Sequence, residues 1–273
     1  MEKKKEKHID TTDTDQEKTE LSVLKYFEEA GFSTRIAEEY NGEAKYFRLL
    51  HYNFAKKLML QMPGSYSTLD SGYPWLVYWI TNIIAMCKDN YEISHDNKMQ
   101  LIQILKELQH EEGGFCGSPK GPAHLISSYA AVMAIVNLNM PEAYDIIDIP
   151  KMKNFLLKMK NNQLEANKEP SYTDKNGIYL ITRDKENEFS SYHTAYPGTF
   201  QNHINGESDL RSTYCAMVIA SVLNLINYEN LTSDPLTQGV VENIKNCQTF
   251  EGGLGPEPFC EAHGGYSYCG IAT

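Results

Sequence analysis

The chain has 273 residues, of which 41% are hydrophobic and 22% charged, enough for one large core or two modest ones. A formal net charge of -11 leaves no broadly basic face and argues against nucleic acid or an anionic membrane as partner. No apolar run reaches the length needed to span a bilayer.

In chain order, the first 20 residues, MEKKKEKHIDTTDTDQEKTE, carry no apolar signal-peptide core and read as a solvated, disordered tail. Residues 21–273 then read as one domain. The stretch PWLVYWI predicts a helix opening near Pro74, with Trp75 and Trp79 four apart on one face. MQLIQILKELQ has apolar residues at helical spacing, whereas AAVMAIVNL is apolar on nearly all sides, as an enclosed helix would be.

A repeat links these segments. Gln109 begins QHEEGGF and Gln248 begins QTFEGGL, and sixteen residues after Gly113 and Gly252 stand Tyr129 and Tyr268. Gly198 precedes Tyr214 by the same sixteen. Each unit therefore reads as an outer amphipathic helix, a glycine turn and an inner helix opening on tyrosine. The glycines suit helix ends that need a left-handed backbone. Gly113 and Gly198 are 85 residues apart but Gly198 and Gly252 only 54. The excess falls in a polar stretch at about 161–196, read as a surface insertion despite the strand-like IYLIT. The fold class is all-α, with helix pairs arranged as a solenoid or a ring.

The polar residues collect where inner helices begin: His124, then Glu207, Asp209 and Arg211, then His263 followed by Gly264 and Gly265. Helix N-termini with free N–H groups attract anions, and glycines let a phosphate reach the backbone. Trp75, Trp79, Tyr129, Tyr214, Tyr266 and Tyr268 form an aromatic set. It reads either as plain core, an alternative held for Trp79 in particular, or as the lining of a pocket for a long apolar ligand with an anionic head. An isoprenoid diphosphate meets that description. The six cysteines lack C-x-x-C spacing, which favours a reduced, cytoplasmic setting over a disulfide framework.

TLDSGYPWLVYWI, LQHEEGGFCGSPKGPAHLISSYAAVMAI, EAYDIID, GESDLRSTYCAMVIASVLNLI, and NCQTFEGGLG followed by EAHGGYSYCG together resemble the β subunits of protein farnesyltransferases. The likeness covers the chain from about Tyr66 onward, the insertion excepted. It implies an α/α toroid, here an incomplete ring, that pairs with an α subunit. The implied reaction transfers farnesyl from farnesyl diphosphate to the cysteine of a C-terminal C-a-a-X protein. By the same resemblance, His263, Gly264, Gly265 and Tyr266 hold the diphosphate. Trp75, Trp79, Tyr129, Arg211, Tyr214 and Cys269 line the prenyl pocket, and His124, Glu207 and Arg211 position the peptide carboxylate. A catalytic zinc is implied, its ligands expected beyond Thr273 because no Asp-x-Cys pair stands here, and the chain is expected to be a truncated form. Other readings stay open: a geranylgeranyl-type β subunit, a terpene-cyclase-like toroid (no D-x-D-D occurs, and DIIDIP does not qualify), or a noncatalytic partner of the α subunit.

Overall fold

The structure, a computed structural model, describes residues 11–29, 47–60, 62–87, 92–161 and 198–273. Two units separate at residue 48. In the first, α1 (Thr11–Glu29) corrects part of the sequence reading: residues 11–20, expected as tail, are helical. Polar pairs one turn apart, Gln16–Glu20 at 2.8 Å, Asp15–Lys18 at 3.5 Å and Lys25–Glu29 at 3.7 Å, favour this helix, whose Leu21 and Tyr26 remain exposed. The first ten residues lie outside the described set.

The second unit comprises α2 (Arg48–Leu60), a 3-10 stretch (Gly64–Gly72), α3 (Tyr73–Cys87), α4 (His95–Leu108), the short strands β1 (Phe115–Cys116) and β2 (Ala123–His124), α5 (Leu125–Leu138), α6 (Pro141–Tyr144), α7 (Ile149–Met159), α8 (Leu210–Val222), α9 (Val240–Asn246) and α10 (Gly264–Ala272). The two strands pair antiparallel, Phe115 opposite His124. Helix α3 packs on α5, α5 on α8, and α8 on α10, giving an inner row; α4 and α7 back α5 and α8 from outside.

The side chains explain this division. Helix α5 buries residues on every face, with Ala130, Ala131 and Ala134 letting neighbouring backbones approach. Helix α7 buries only the stripe Met152, Phe155, Leu156 and Met159, at the i, i+3, i+4, i+7 spacing of an outer helix. Replacing one of these large buried residues, such as Leu156, by alanine would cost about 2–5 kcal/mol.

The repeat is a backbone fact. Gly113, Gly198 and Gly252 have φ of 98°, 88° and 92°. A Cβ on Gly113 would sit 2.2 Å from the Lys151 carbonyl and one on Gly198 2.1 Å from that of Gly239, while Gly252 has nothing within 4 Å. Conformation alone thus demands glycine at the third site, whereas conformation and close packing demand it at the first two. Each turn closes in the same way. The N–H of Gly113, Gly198 and Gly252 donates to the carbonyl of His110 (3.0 Å), Asn161 (3.3 Å) and Thr249 (3.0 Å) respectively. Those three residues donate in return to Gly114, Thr199 and Gly253 at 3.1, 2.9 and 2.9 Å.

This equivalence places the insertion. Its residues lie outside the described set, but its flanks do not: Asn161 and Gly198 hold the positions that two residues separate in the other copies, Glu111–Glu112 and Phe250–Glu251. The excursion thus begins after Asn161, which belongs to the turn, and runs over 162–197. The Asn161 amide fixes this junction, donating to Thr199 Oγ1 (2.6 Å) and Ser208 Oγ (2.9 Å) and accepting from Gln201 at 2.6 Å. Lys160 occupies the place of Gln109 and Gln248, all three bridging to the residue two after the glycine. It is buried, donates from Nζ to the carbonyls of Leu236 (2.8 Å) and Gly198 (3.4 Å), and lies 4.5 Å from the Phe200 ring. Burial pushes its ammonium down to about 8, against the pull of Asp234.

Two outcomes follow from this junction. Replacing residues 162–197 by Glu-Glu restores the shorter turn, and urea unfolding should stay cooperative and gain up to about 2.5 kcal/mol from the shorter loop; loss of the fold would contradict the equivalence. The unfolded chain holds the Lys160 proton more tightly than the folded one, so this residue makes stability rise as pH increases from about 8 to 10.5. Urea midpoints for Lys160→Gln should lack that part of the rise, and parallel profiles for the two proteins would refute it.

Candidate functional site

The inner helices α5, α8 and α10 start at equivalent places. Their N-caps His124, Asp209 and His263 each follow a turn glycine by eleven residues and have extended backbone. The caps differ in chemistry. Asp209 accepts from the N–H of Arg211 (2.7 Å) and Ser212 (3.4 Å), and Ser212 Oγ accepts from Asp209 N–H at 3.0 Å, a reciprocal capping box. His263 Nδ1 accepts from Gly265 N–H at 3.0 Å, so the neutral ring carries its proton on Nε2, a donor not used by the cap. His124 makes no cap bond, and its Nδ1 is buried without a partner.

The His263 end gathers cationic and donor groups. His263, Gly264 and Gly265 are exposed at the start of α10, where free N–H groups favour an anion. The ring of Tyr266 lies 5.5 Å from that of His263, and the Arg211 guanidinium 5.5 Å from the Tyr266 ring. Asp209 orients Arg211, whose Nε donates to its two carboxylate oxygens at 3.0 and 3.2 Å. That pairing holds the guanidinium charged far above the working range. Because Arg211 is half-exposed, the pair contributes orientation more than stability.

From this rim an aromatic strip crosses the inner row, one helix after another. Ring centroids lie 5.6 Å apart for Trp79–Trp75, 5.7 Å for Trp75–Tyr129, 5.7 Å for Tyr129–Tyr214 and 5.6 Å for Tyr214–Tyr268. Thus α3, α5, α8 and α10 each contribute. Tyr78 joins at 5.9 Å from both Trp75 and Tyr129. Trp79 and Tyr268 are 47% and 63% exposed, so the strip is an accessible surface and Trp79 is not plain core. Each ring pair adds about 0.5–1.5 kcal/mol beyond its buried area. Burial drives the Tyr129 hydroxyl far above its ordinary value and the Tyr214 hydroxyl up to about 12, so both stay neutral.

The strip unites Trp75, Trp79, Tyr129 and Tyr214; the rim unites His263, Gly264, Gly265, Tyr266 and Arg211. Cys269 is half-buried against the small cluster of Leu210, Cys247 and Leu254, on which Tyr266 also packs, and it feels the charges of Asp209 and Arg211. At a third place His124 meets Glu207 through a residue the sequence reading missed. The His203 ring lies 5.7 Å from that of His124, and its Nε2 is 4.0 Å from Glu207 Oε2. Burial and the facing His203 lower the His124 pKa, while hydrogen bonds from its own backbone and from the Asn202 amide lower that of Glu207. Nothing periodic marks QNHING, and Tyr78 was hidden among the aromatics of PWLVYWI. A cavity of about 1050 Å³ lies elsewhere, bounded by α8 residues Met217, Val218 and Val222 and by Val240 and Asn243 of α9. It shares no lining residue with strip or rim.

Among the described residues no group of three or more His, Cys, Asp or Glu side chains could hold a metal ion. None of the cysteines forms a disulfide, and burial raises the thiols of Cys215, Cys247 and Cys269, which keeps them protonated and poor ligands. No described helix is long and apolar enough to cross a membrane.

The chain is 33% identical over 253 residues to protein farnesyltransferase subunit beta of Arabidopsis thaliana, covering 93% of this chain and 43% of the relative. It is 27% identical to the subunit of the same name from Schizosaccharomyces pombe, covering 88% and 52%. The chain therefore spans about half the length of the curated relatives it matches. In fold it is similar to Candida albicans protein geranylgeranyltransferase-I complexed with GGPP, with a TM-score of 0.56 at 18% identity over 84% of this chain and 58% of that one. The family model of the prenyltransferase alpha-alpha toroid domain matches residues 47–273, and the chain belongs to that family.

Proposed function

We propose that the chain acts as the β subunit of a protein farnesyltransferase, paired with an α subunit in the cytoplasm, where its free thiols suit a reducing setting. The observation that carries this reading is the unbroken aromatic strip from Trp79 to Tyr268, set beside the donors of His263 and Arg211. A polyisoprenoid lies flat on such rings, burying apolar surface at about 25 cal/mol per Å². Its diphosphate meets the N–H group of Gly264, the His263 Nε2–H and the Arg211 guanidinium. The carboxylate end of the C-a-a-X peptide lies beside His124, Glu207 and Arg211 and is positioned through water, since the ionised Glu207 would repel it in direct contact.

In the transfer, the peptide cysteine gives its proton to solvent and its thiolate sulfur forms a bond to C1 of the prenyl chain as the C1–O bond breaks and diphosphate leaves with the electron pair. His263 and Arg211 stabilise the charge that grows on the leaving oxygens. Zinc, which the family resemblance implies, does not fit the donors described: Asp209 is committed to its cap and to Arg211, and Cys215, buried, and Cys269, half-buried, are neutral thiols. The steps assigned to this chain are accordingly binding, orientation and leaving-group stabilisation. Geranylgeranyl transfer is the second reading, favoured by the fold shared with the Candida albicans enzyme.

The indole of Trp75, packed on Trp79, Tyr78 and Tyr129 near the α3 end of the strip, should limit by its bulk the length of prenyl chain that the strip accepts. Affinities of the two diphosphates for the chain with its α subunit decide between the readings. Farnesyl diphosphate should bind at least about tenfold tighter, a difference of ~1.4 kcal/mol, and Trp75→Thr should erase or reverse that margin. Unchanged selectivity would refute the role of Trp75, and binding of neither compound would refute the reading itself.

A further inference from the structure

The loop that carries Glu207 is tied to the first turn of α5. Leu125 N–H donates to the Asn202 carbonyl at 2.7 Å, and Asn202 N–H donates to the Glu207 carbonyl at 2.9 Å. The Asn202 side-chain amide donates to Glu207 Oε1 at 2.9 Å, which fixes its orientation, because a flipped amide would set oxygen against carboxylate. Two buried atoms on this seam have no partner, Asn202 Oδ1 and His124 Nδ1. Beside them the His203 ring lies tilted against that of His124 and faces Glu207.

The tautomer of His203 follows from its neighbours. Its Nδ1 lies 3.1 Å from the Ile204 carbonyl, an acceptor only, so Nδ1 carries a proton. In the neutral ring Nε2 then turns a lone pair toward the Glu207 carboxylate, and a second proton converts that repulsion into an ion pair. The other charged or titratable groups coupled to this pair are His124 on β2 and Arg211 on α8.

We infer that His203 is a positioning residue for the anionic end of the peptide: protonated, it neutralises Glu207 and lets a carboxylate approach His124. Deprotonated, it leaves the Glu207 charge unbalanced beside His124, and the incoming carboxylate is repelled. Peptide affinity therefore falls as His203 loses its second proton, whereas a peptide ending in an amide is indifferent. The pair is partly exposed, so added salt narrows the effect. This inference rests on the proposed peptide site at His124 and Glu207.

Two measurements on the chain with its α subunit test it. NMR titration of the His124 imidazole should show a higher midpoint in His203→Asn, which removes the facing charge, and a lower one in Glu207→Gln. Binding of a C-a-a-X tetrapeptide as free acid and as amide, at pH about 6 and about 8 and low salt, should show the acid weakening about five- to tenfold at the higher pH. His203→Asn should bind the acid weakly at both pH values, and adding Glu207→Gln should restore binding, with thermal unfolding confirming that the variants are folded. An unmoved His124 midpoint in His203→Asn, or a wild-type pH profile in that variant, overturns the role of His203. Failure of the free acid to bind at any pH, with the His124–His203 coupling intact, overturns the peptide site on which the inference stands.

Discussion

A backbone that must turn left-handed at Gly113, Gly198 and Gly252 sets the rest of the structure. Each turn ends an outer segment and folds the chain back on itself through a reciprocal pair of hydrogen bonds. From that point the distances along the chain are fixed: eleven residues to an N-cap and sixteen to a tyrosine. Helix geometry converts equal counts into equal heights, so N-caps from separate helices gather at one rim and tyrosines from separate helices form one strip. Substitution of Gly113 or Gly198 would meet both a conformational penalty and a backbone carbonyl about 2 Å away.

Strip and rim ask for different environments and obtain them from the same helices. In the middle of the strip Tyr129 is buried and Tyr214 half-buried, which keeps their hydroxyls neutral and suited to an apolar ligand. The caps lie at helix ends, where the N–H of Gly264, the His263 nitrogen that the cap leaves unused and a permanently charged Arg211 suit an anion. Asp209 is as close to this rim as the residues around it, yet its carboxylate is spent on the α8 cap and on Arg211. It builds the site without being available to a ligand.

The repeat was legible in the sequence because two of its constraints admit few residues, glycine where φ is positive and an aromatic ring where four helices meet. The second copy was harder to read, since Lys160 replaces the glutamine of Gln109 and Gln248 and the excursion over 162–197 separates it from its glycine. Only the hydrogen bonds around Asn161 reveal the equivalence. His203 and Asn202 left no mark in the sequence, because their roles depend on a loop returning to the start of α5. The helix over residues 11–20 was hidden by composition, since its support comes from polar side-chain pairs and not from an apolar stripe.

The account places a prenyl chain on the strip and its diphosphate at the His263 cap, and the chain carries a direct reporter, for both of its tryptophans, Trp75 and Trp79, belong to the strip. The decisive measurement is tryptophan emission during titration with farnesyl diphosphate, farnesol and inorganic diphosphate. Farnesyl diphosphate should change the emission saturably, inorganic diphosphate should compete without changing it, and farnesol should bind at least about tenfold more weakly. Emission that ignores farnesyl diphosphate, or equal binding of farnesol, would contradict the joint site of strip and rim.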